Sequence, residues 1–415
     1  MKTPIQLREP QLPPAAPLGT ALDRILGLVL FALGLCLPYS IAGVNILWAV
    51  LLVIALAAFP LLWRSAPWRD PIVACSLLLF SFIAVHTFAT TSQPREALEI
   101  VKRYDELPIL AVLVALLRAS SRSTHLLWGL LLGTVGYAIA YWAAPVIPLV
   151  AGKTQSGYIA AGFTLGVSAW LFTELGSRAR RPTLFYAAAA FLTLTIILRV
   201  QGRTGLVILV VLAACTAWTR LPRRWRLAGI LILPAAVFGL SMKMGAVSAR
   251  VLESGNALQS NTATVNDSTR IRVEMLYIAL DLVKENYLGG VGLSNYAEAN
   301  RKAAAARDLR ESGQIGPERP WTSTGNPHNE YLFQLAGGGV VGLGLFLAWL
   351  GLPLLRQKTG HPDWIFIVPA LAFATGCIFN SMLRDFTEGH YYVVLLAWLL
   401  ANGHGRLADV RRRVD

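Results

Sequence analysis

Charge is scarce in this chain. Asp, Glu, Lys and Arg make up 14% of its 415 residues, against 55% hydrophobic residues and a mean hydropathy of +0.54. A water-soluble protein of this size needs far more charge to cover its surface, so a soluble globular fold is excluded. Cysteine is equally thin. Cys36, Cys75, Cys215 and Cys377 stand singly within apolar runs and never form a CxxC. That excludes a disulfide framework or a zinc ribbon and leaves them as small packing residues. There is no HExxH, no ladder of His, Asp and Glu at ligand spacing, no phosphate loop and no serine elbow. Neither a metal site nor a bound cofactor therefore has support in the sequence. The opening MKTPIQLREPQLPPAAP is polar and proline-rich and lacks the short apolar core of a cleavable signal, so the first apolar run, from about Leu26, reads as a retained span.

Long apolar stretches are what the chain has instead. Twelve of them, near 22–41, 43–62, 71–89, 107–118, 124–143, 156–174, 183–199, 204–219, 227–246, 331–352, 363–380 and 387–402, approach the thickness of a bilayer core. Leu, Val, Ala, Gly and Phe dominate them, and a helix lets each segment satisfy its own backbone polar groups. The expected fold is all-α: a polytopic membrane protein of about twelve transmembrane helices. It divides into residues 1–246 with spans one to nine, a polar helical loop over 247–326, and 327–415 with spans ten to twelve and a tail.

The net charge of +14 would point a soluble protein towards nucleic acid; here it reports sidedness, and the expected surroundings are membrane lipids. With the N-terminus inside, the inner loops carry Arg64 and Arg69, Arg118 and Arg122, Arg178, Arg180 and Arg181, Arg220 to Arg226, and Arg356 with Lys358, and the tail adds Arg406 and Arg411 to Arg413. Every inner segment is basic, as the positive-inside rule requires, and both termini fall inside. The cations left outside then carry the information, because outer loops are normally depleted of them. They include Lys102, Arg103, Lys153, Arg199, Arg203, Arg270, Arg272 and Arg384. An arginine fork matches phosphate oxygens. Arg301, Lys302, Arg307, Arg310 and Arg319 lie in a polar stretch and read as solvated charges.

Within the loop, a helix is expected from about Ser268 to Gly289–Gly290, with Ile271, Met275, Ile278 and Leu282 as its apolar stripe. Arg270 and Arg272 then project about 200° apart, so at most one faces a given site. A second helical piece falls near Tyr296–Leu309.

Three groups stand out, each beside a span. Arg203 sits in the tight turn of RVQGRTGLVIL, Arg272 on the loop helix, and His328 in PHNEYLFQL. Each also has a plain reading: Arg203 snorkelling to headgroups, Arg272 paired with Glu274 or Asp267, His328 capping a helix. Secondary candidates for binding a diphosphate or an acceptor are Arg270, Lys102, Arg103, Lys153, Asn329 and Asp385, the last within FNSMLRDFTEGHYY. Two arginines and an imidazole at an outer interface fit a lipid-linked diphosphate. The guanidinium groups stabilise the leaving charge, and the imidazole takes the proton of an attacking hydroxyl.

The same residues carry a family resemblance. PHNEYLFQLAGGGVVGLGLF resembles the signature shared by O-antigen ligases and O-antigen polymerases. RVEMLYIALDLVKENYLGGVGLSNY resembles that family's stretch from an arginine into a Gly-x-Gly turn, and QGRTGLVILVV its arginine at a span start. The three occur in the family's order over residues 155–352. Tyr277 stands where many relatives carry tryptophan, a departure expected to alter packing. The resemblance implies a GT-C-type membrane glycosyltransferase without a cofactor, with His328 as the essential histidine and Arg203 and Arg272 as the two arginines. It implies an undecaprenyl-diphosphate-linked glycan as donor. For a ligase the acceptor is lipid A–core oligosaccharide, and the active site and loop face the periplasm of a Gram-negative inner membrane, with both termini cytoplasmic. A polymerase would instead extend one lipid-linked glycan with another. Protein-directed oligosaccharyltransferases usually carry extra outer segments, so the modest loop here favours a ligase. A reading from another class is a transporter or flippase for a lipid-linked anion. Such proteins show related halves and mid-depth sites, whereas here the halves are dissimilar and the cations gather at one face.

Overall fold

The structure is a computed structural model that describes residues 18–147, 157–177, 179–200, 202–244, 268–314, 322, 324–358 and 361–413. It is all-α apart from a two-residue antiparallel pairing of Gln357–Lys358 with His361–Pro362. The chain runs through α1 (Thr20–Cys36), α2 (Ile41–Ala57), the short α3 (Phe59–Arg64), α4 (Pro71–Thr90), α5 (Pro94–Val101), α6 (Glu106–Ala119) and α7 (Thr124–Ala143). It continues with α8 (Tyr158–Gly176), α9 (Pro182–Leu198), α10 (Arg203–Arg220) and α11 (Arg226–Met244). Two polar helices follow, α12 (Ser268–Asn286) and α13 (Tyr296–Ser312), and then α14 (Glu330–Gly351), α15 (Trp364–Phe379) and α16 (Phe386–Arg413).

A helix lies over each of the twelve apolar stretches. Among the described residues, five are long and apolar enough to cross a bilayer: Pro71–Thr90, Thr124–Ala143, Tyr158–Gly176, Arg203–Arg220 and the segment Glu330–Leu355. Ile41–Ala57 with its bent continuation Leu62–Arg69 makes a sixth if the pair is one span. Others, such as Pro182–Leu198 and Trp364–Phe379, are apolar but shorter. The most enclosed of the five is α8, whose buried face runs almost continuously from Ala161 to Phe172. Around it the core is aromatic: Phe163 meets Phe373 and Tyr391 edge-on, and Phe373 stacks on Tyr392.

Polar residues tie several helix ends together. Asp70 accepts from the Ile72 amide at 3.0 Å to cap α4 and also holds Arg356, tying α4 to the end of α14. Asp23 on α1 accepts from the Ser120 hydroxyl at 2.6 Å, joining α1 to the end of α6.

The expected loop helices are present, α12 ending at Asn286 and α13 running to Ser312. Met275, Ile278 and Leu282 of the stripe are buried. Arg307 and Arg310, expected to be solvated charges, both reach Asp281 on α12, at 3.5 and 2.7 Å, and Arg307 also lies over the Tyr277 ring at 4.8 Å. They clamp α13 to α12.

The loop meets the bundle at a break in α14. Gly339 has φ 67° and ψ −168° inside the helix, a conformation essentially restricted to glycine. The break frees backbone groups, and the turn after α12 takes them: Val340 N donates to Tyr287 O at 2.9 Å, Val291 N to Ala336 O at 2.8 Å, and Gly292 N to Gly337 O at 2.9 Å. A Cβ at Gly339 would fall 2.0 Å from Leu288 O. Gly339→Ala is therefore expected to cost at least about 1–3 kcal/mol from backbone strain alone. Gly344→Ala, in open space on the same helix, should stay within about 0.5 kcal/mol. Thermal unfolding in detergent compares the two; equal melting temperatures would refute the docking role of Gly339.

Candidate functional site

Arg203 opens α10, and its position follows from small residues. The Cβ that Gly205 lacks would lie 2.8 Å from Gly162 Cα, so α10 and α8 touch backbone to backbone. Gly202 lies against Tyr158 in the same way. Arg272 is carried on the first turns of α12, half-buried, while the Met275–Leu282 stripe faces inward. The two arginines are neighbours. Burial, with the Arg203 guanidinium beside it, holds Arg272 below the usual arginine range. A like charge close by disfavours the charged form of Arg272.

His328 stands immediately before α14 with φ 52°, in the left-handed region that a non-glycine residue occupies only when its surroundings hold it. Asn326 Oδ1 accepts from the His328 amide at 2.8 Å and from the Ser381 hydroxyl at 2.7 Å, bracing the turn against the segment between α15 and α16. The ring atom Nδ1 faces Asn380 Oδ1 at 3.1 Å, and Asn380 Nδ2 donates to Asp385 Oδ2. Arg384 donates to Gly325 O and lies over the Phe333 ring at 4.8 Å.

His328, Asn380, Arg384 and Asp385 line one cavity of about 610 Å³, together with Arg103, Tyr158 and Glu388. Its wall residue Tyr158 is the one against which Gly202 packs, so the Arg203 turn adjoins this wall. Burial pushes the Asp385 carboxyl up, opposed by the Asn380 hydrogen bond and by Arg384, His328 and Arg103. Burial likewise lowers the Arg384 guanidinium.

The structure thus forms two groupings from the candidate residues: Arg203 with Arg272, and His328 with Arg103 and Asp385. Lys102 is exposed and is not among the residues lining the cavity. Asn329 has both ends of its amide engaged in the fold. Its Oδ1 caps α14 through Leu332 N at 3.0 Å, and its Nδ2 donates to Ile378 O at 2.9 Å. The side chain of Arg270 and the whole of Lys153 lie outside the described residues.

Sequence reasoning passed over Asn380 and Asn326, and gave Arg384 and Glu388 no role of their own. The signal was the density of polar groups in FNSMLRDFTEGHYY at a helix boundary. It also saw no His/Asp/Glu cluster, yet Asp105, Glu106 and His390 bring their ligand atoms within 4.8 Å of one another. His390 Nδ1 donates to Phe386 O at 2.7 Å, which directs Nε2 to Asp105 Oδ1 at 3.3 Å. The three can hold a divalent ion, or an imidazolium can pair with Asp105.

Fold and site together define a multispan helical membrane protein with an arginine- and histidine-bearing cavity. Residues 187–347 match the model of the O-antigen ligase family, a stretch that contains Arg203, Arg272 and His328. That match supports an O-antigen ligase family assignment, with a ligase- or polymerase-type function. No curated protein matches the chain.

Asn329→Ala should cost about 1 kcal/mol through loss of the helix cap, read as a lower melting temperature with binding of a lipid diphosphate unchanged. Full stability with impaired binding would instead make Asn329 a ligand contact.

Proposed function

We propose that this protein is an O-antigen ligase. It transfers a glycan from an undecaprenyl-diphosphate carrier to lipid A–core oligosaccharide at the periplasmic face of the inner membrane. In this reading all twelve apolar helices act as spans, α12 and α13 form the periplasmic loop, and both termini are cytoplasmic. What supports it is the neighbouring pair Arg203 and Arg272, set beside the wall of a cavity that holds His328, all three within the family match.

The chemistry follows from the groups. Arg203 and Arg272 bind the diphosphate and stabilise its charge as it leaves, a role they can fill without a metal ion. The acceptor hydroxyl enters the cavity and gives its proton to His328. Its oxygen bonds to the anomeric carbon on the face opposite the phosphate. The bond from that carbon to the phosphate oxygen breaks, and the electron pair leaves with the diphosphate. One displacement inverts the anomeric configuration and needs no covalent enzyme intermediate.

His328→Ala should lower transfer by about 10²- to 10⁴-fold while donor binding persists. Arg272→Lys should lose about 10²- to 10³-fold, because an ammonium lacks the planar fork. The deciding experiment is reconstitution with a lipid-diphosphate glycan and each candidate acceptor, without metal. Glycan joined to lipid A–core with inverted linkage is the expected product. A lengthened lipid-linked glycan would mark a polymerase, and movement of the donor across the bilayer without transfer would mark a carrier. A trapped glycosyl-enzyme would contradict single displacement.

A further inference from the structure

We infer that Asn380 is a positioning residue that fixes the ring proton of His328 on Nδ1 and so presents Nε2 as the proton-accepting nitrogen. The catalytic half of this inference rests on the proposed transfer reaction; the tautomer assignment does not.

The argument starts at Asp385. An ionised carboxylate can only accept hydrogen bonds. Burial pushes the Asp385 carboxyl up, opposed by the Asn380 hydrogen bond and by Arg384, His328 and Arg103, and Glu388 is the other acidic group on the same cavity wall. The Asn380 amide turns its NH₂ towards Asp385, through Nδ2 to Oδ2. That leaves Oδ1 facing His328 Nδ1 at 3.1 Å. An amide oxygen has no proton to give, so the proton in this contact belongs to Nδ1. A neutral ring with its proton on Nδ1 carries its lone pair on Nε2.

Asn380 is itself held in place. It is 3% exposed, it ends α15 with its amide donating to Gly376 O at 3.0 Å, and the next residue, Ser381, donates to the same Asn326 oxygen that holds the His328 backbone. Ring and main chain of His328 are thus referenced to one rigid turn, residues 380–385.

During transfer the acceptor proton arrives on Nε2 as the acceptor oxygen bonds to the anomeric carbon and the carbon–phosphate oxygen bond breaks. The resulting imidazolium keeps its Nδ1–H on Asn380, whose dipole Asp385 orients. Without Asn380 the ring loses the acceptor that holds its proton on Nδ1, and a ring protonated on Nε2 cannot take the proton.

The test uses the full-length protein in lipid, with undecaprenyl-diphosphate glycan and lipid A–core. Asn380→Ala should lower kcat about 10- to 100-fold, the range typical of losing an orienting partner, with KM little changed. Nitrogen-15 histidine spectra should show the His328 proton moving from Nδ1 alone to a mixture. Exchanging the pair, Asn380→Asp with Asp385→Asn, keeps an acceptor on Nδ1 and a donor to it. It should recover most of the Asn380→Ala loss, and a carboxylate directly on the ring should move the acid-side limb of the pH–rate profile, where His328 gives up its proton, to higher pH. The exchange also covers the case in which Asn380→Ala fails to fold. A His328 proton still confined to Nδ1 in Asn380→Ala, or a paired exchange no better than that single variant, would overturn the inference. Should His328→Ala transfer at the parent rate, the base role falls, while the spectra still decide the tautomer.

Discussion

The turn after α12 is hydrogen-bonded, backbone to backbone, into a gap in α14, and the placement of the site depends on that seam. A helix broken in apolar surroundings leaves amide and carbonyl groups that cost several kcal/mol each if nothing meets them. Gly339 makes the break, and Tyr287, Val291 and Gly292 supply the partners. One helix carries Arg272 and the other starts two residues after His328. The seam therefore sets the loop arginine relative to the histidine through main-chain contacts, which are stiffer than any pair of long side chains.

A second constraint is electrostatic. Cations gather at this end of the bundle. Arg203 and Arg272 repel one another, and Arg103 and Arg384 share a cavity with Asp385 and Glu388. By contrast, Arg307, Arg310 and Arg356 each have a carboxylate at close range and act as struts. Arg307, Arg310 and Arg356 thus hold elements of the fold together, whereas Arg103 and Arg384 face the cavity.

The turn between α15 and α16 joins the two themes. Residues 380–385 reach back to His328 and Asn326 and outward to Gly325, so the histidine is braced on its backbone and its ring by one short segment. Its positive φ persists because these contacts over-determine it.

Composition and hydropathy alone determined that the protein is helical and belongs in a bilayer, because apolar runs of that length have no other stable backbone solution. The order of Arg203, Arg272 and His328 along the chain was legible too, since each lies beside an apolar run or on a helix with a readable stripe. What lay beyond the sequence was distance. Arg307 and Arg310 look solvated until α13 folds against Asp281. Asn329 gains its Ile378 carbonyl partner only when α15 passes beside it. Asp105 and Glu106 meet His390 only when α6 packs on α16. Asn380 is an ordinary polar residue at a helix end until the turn is closed. Only tertiary packing decided these partnerships, because hydrogen bonds and charge interactions depend on separations of a few ångströms between residues far apart in the chain.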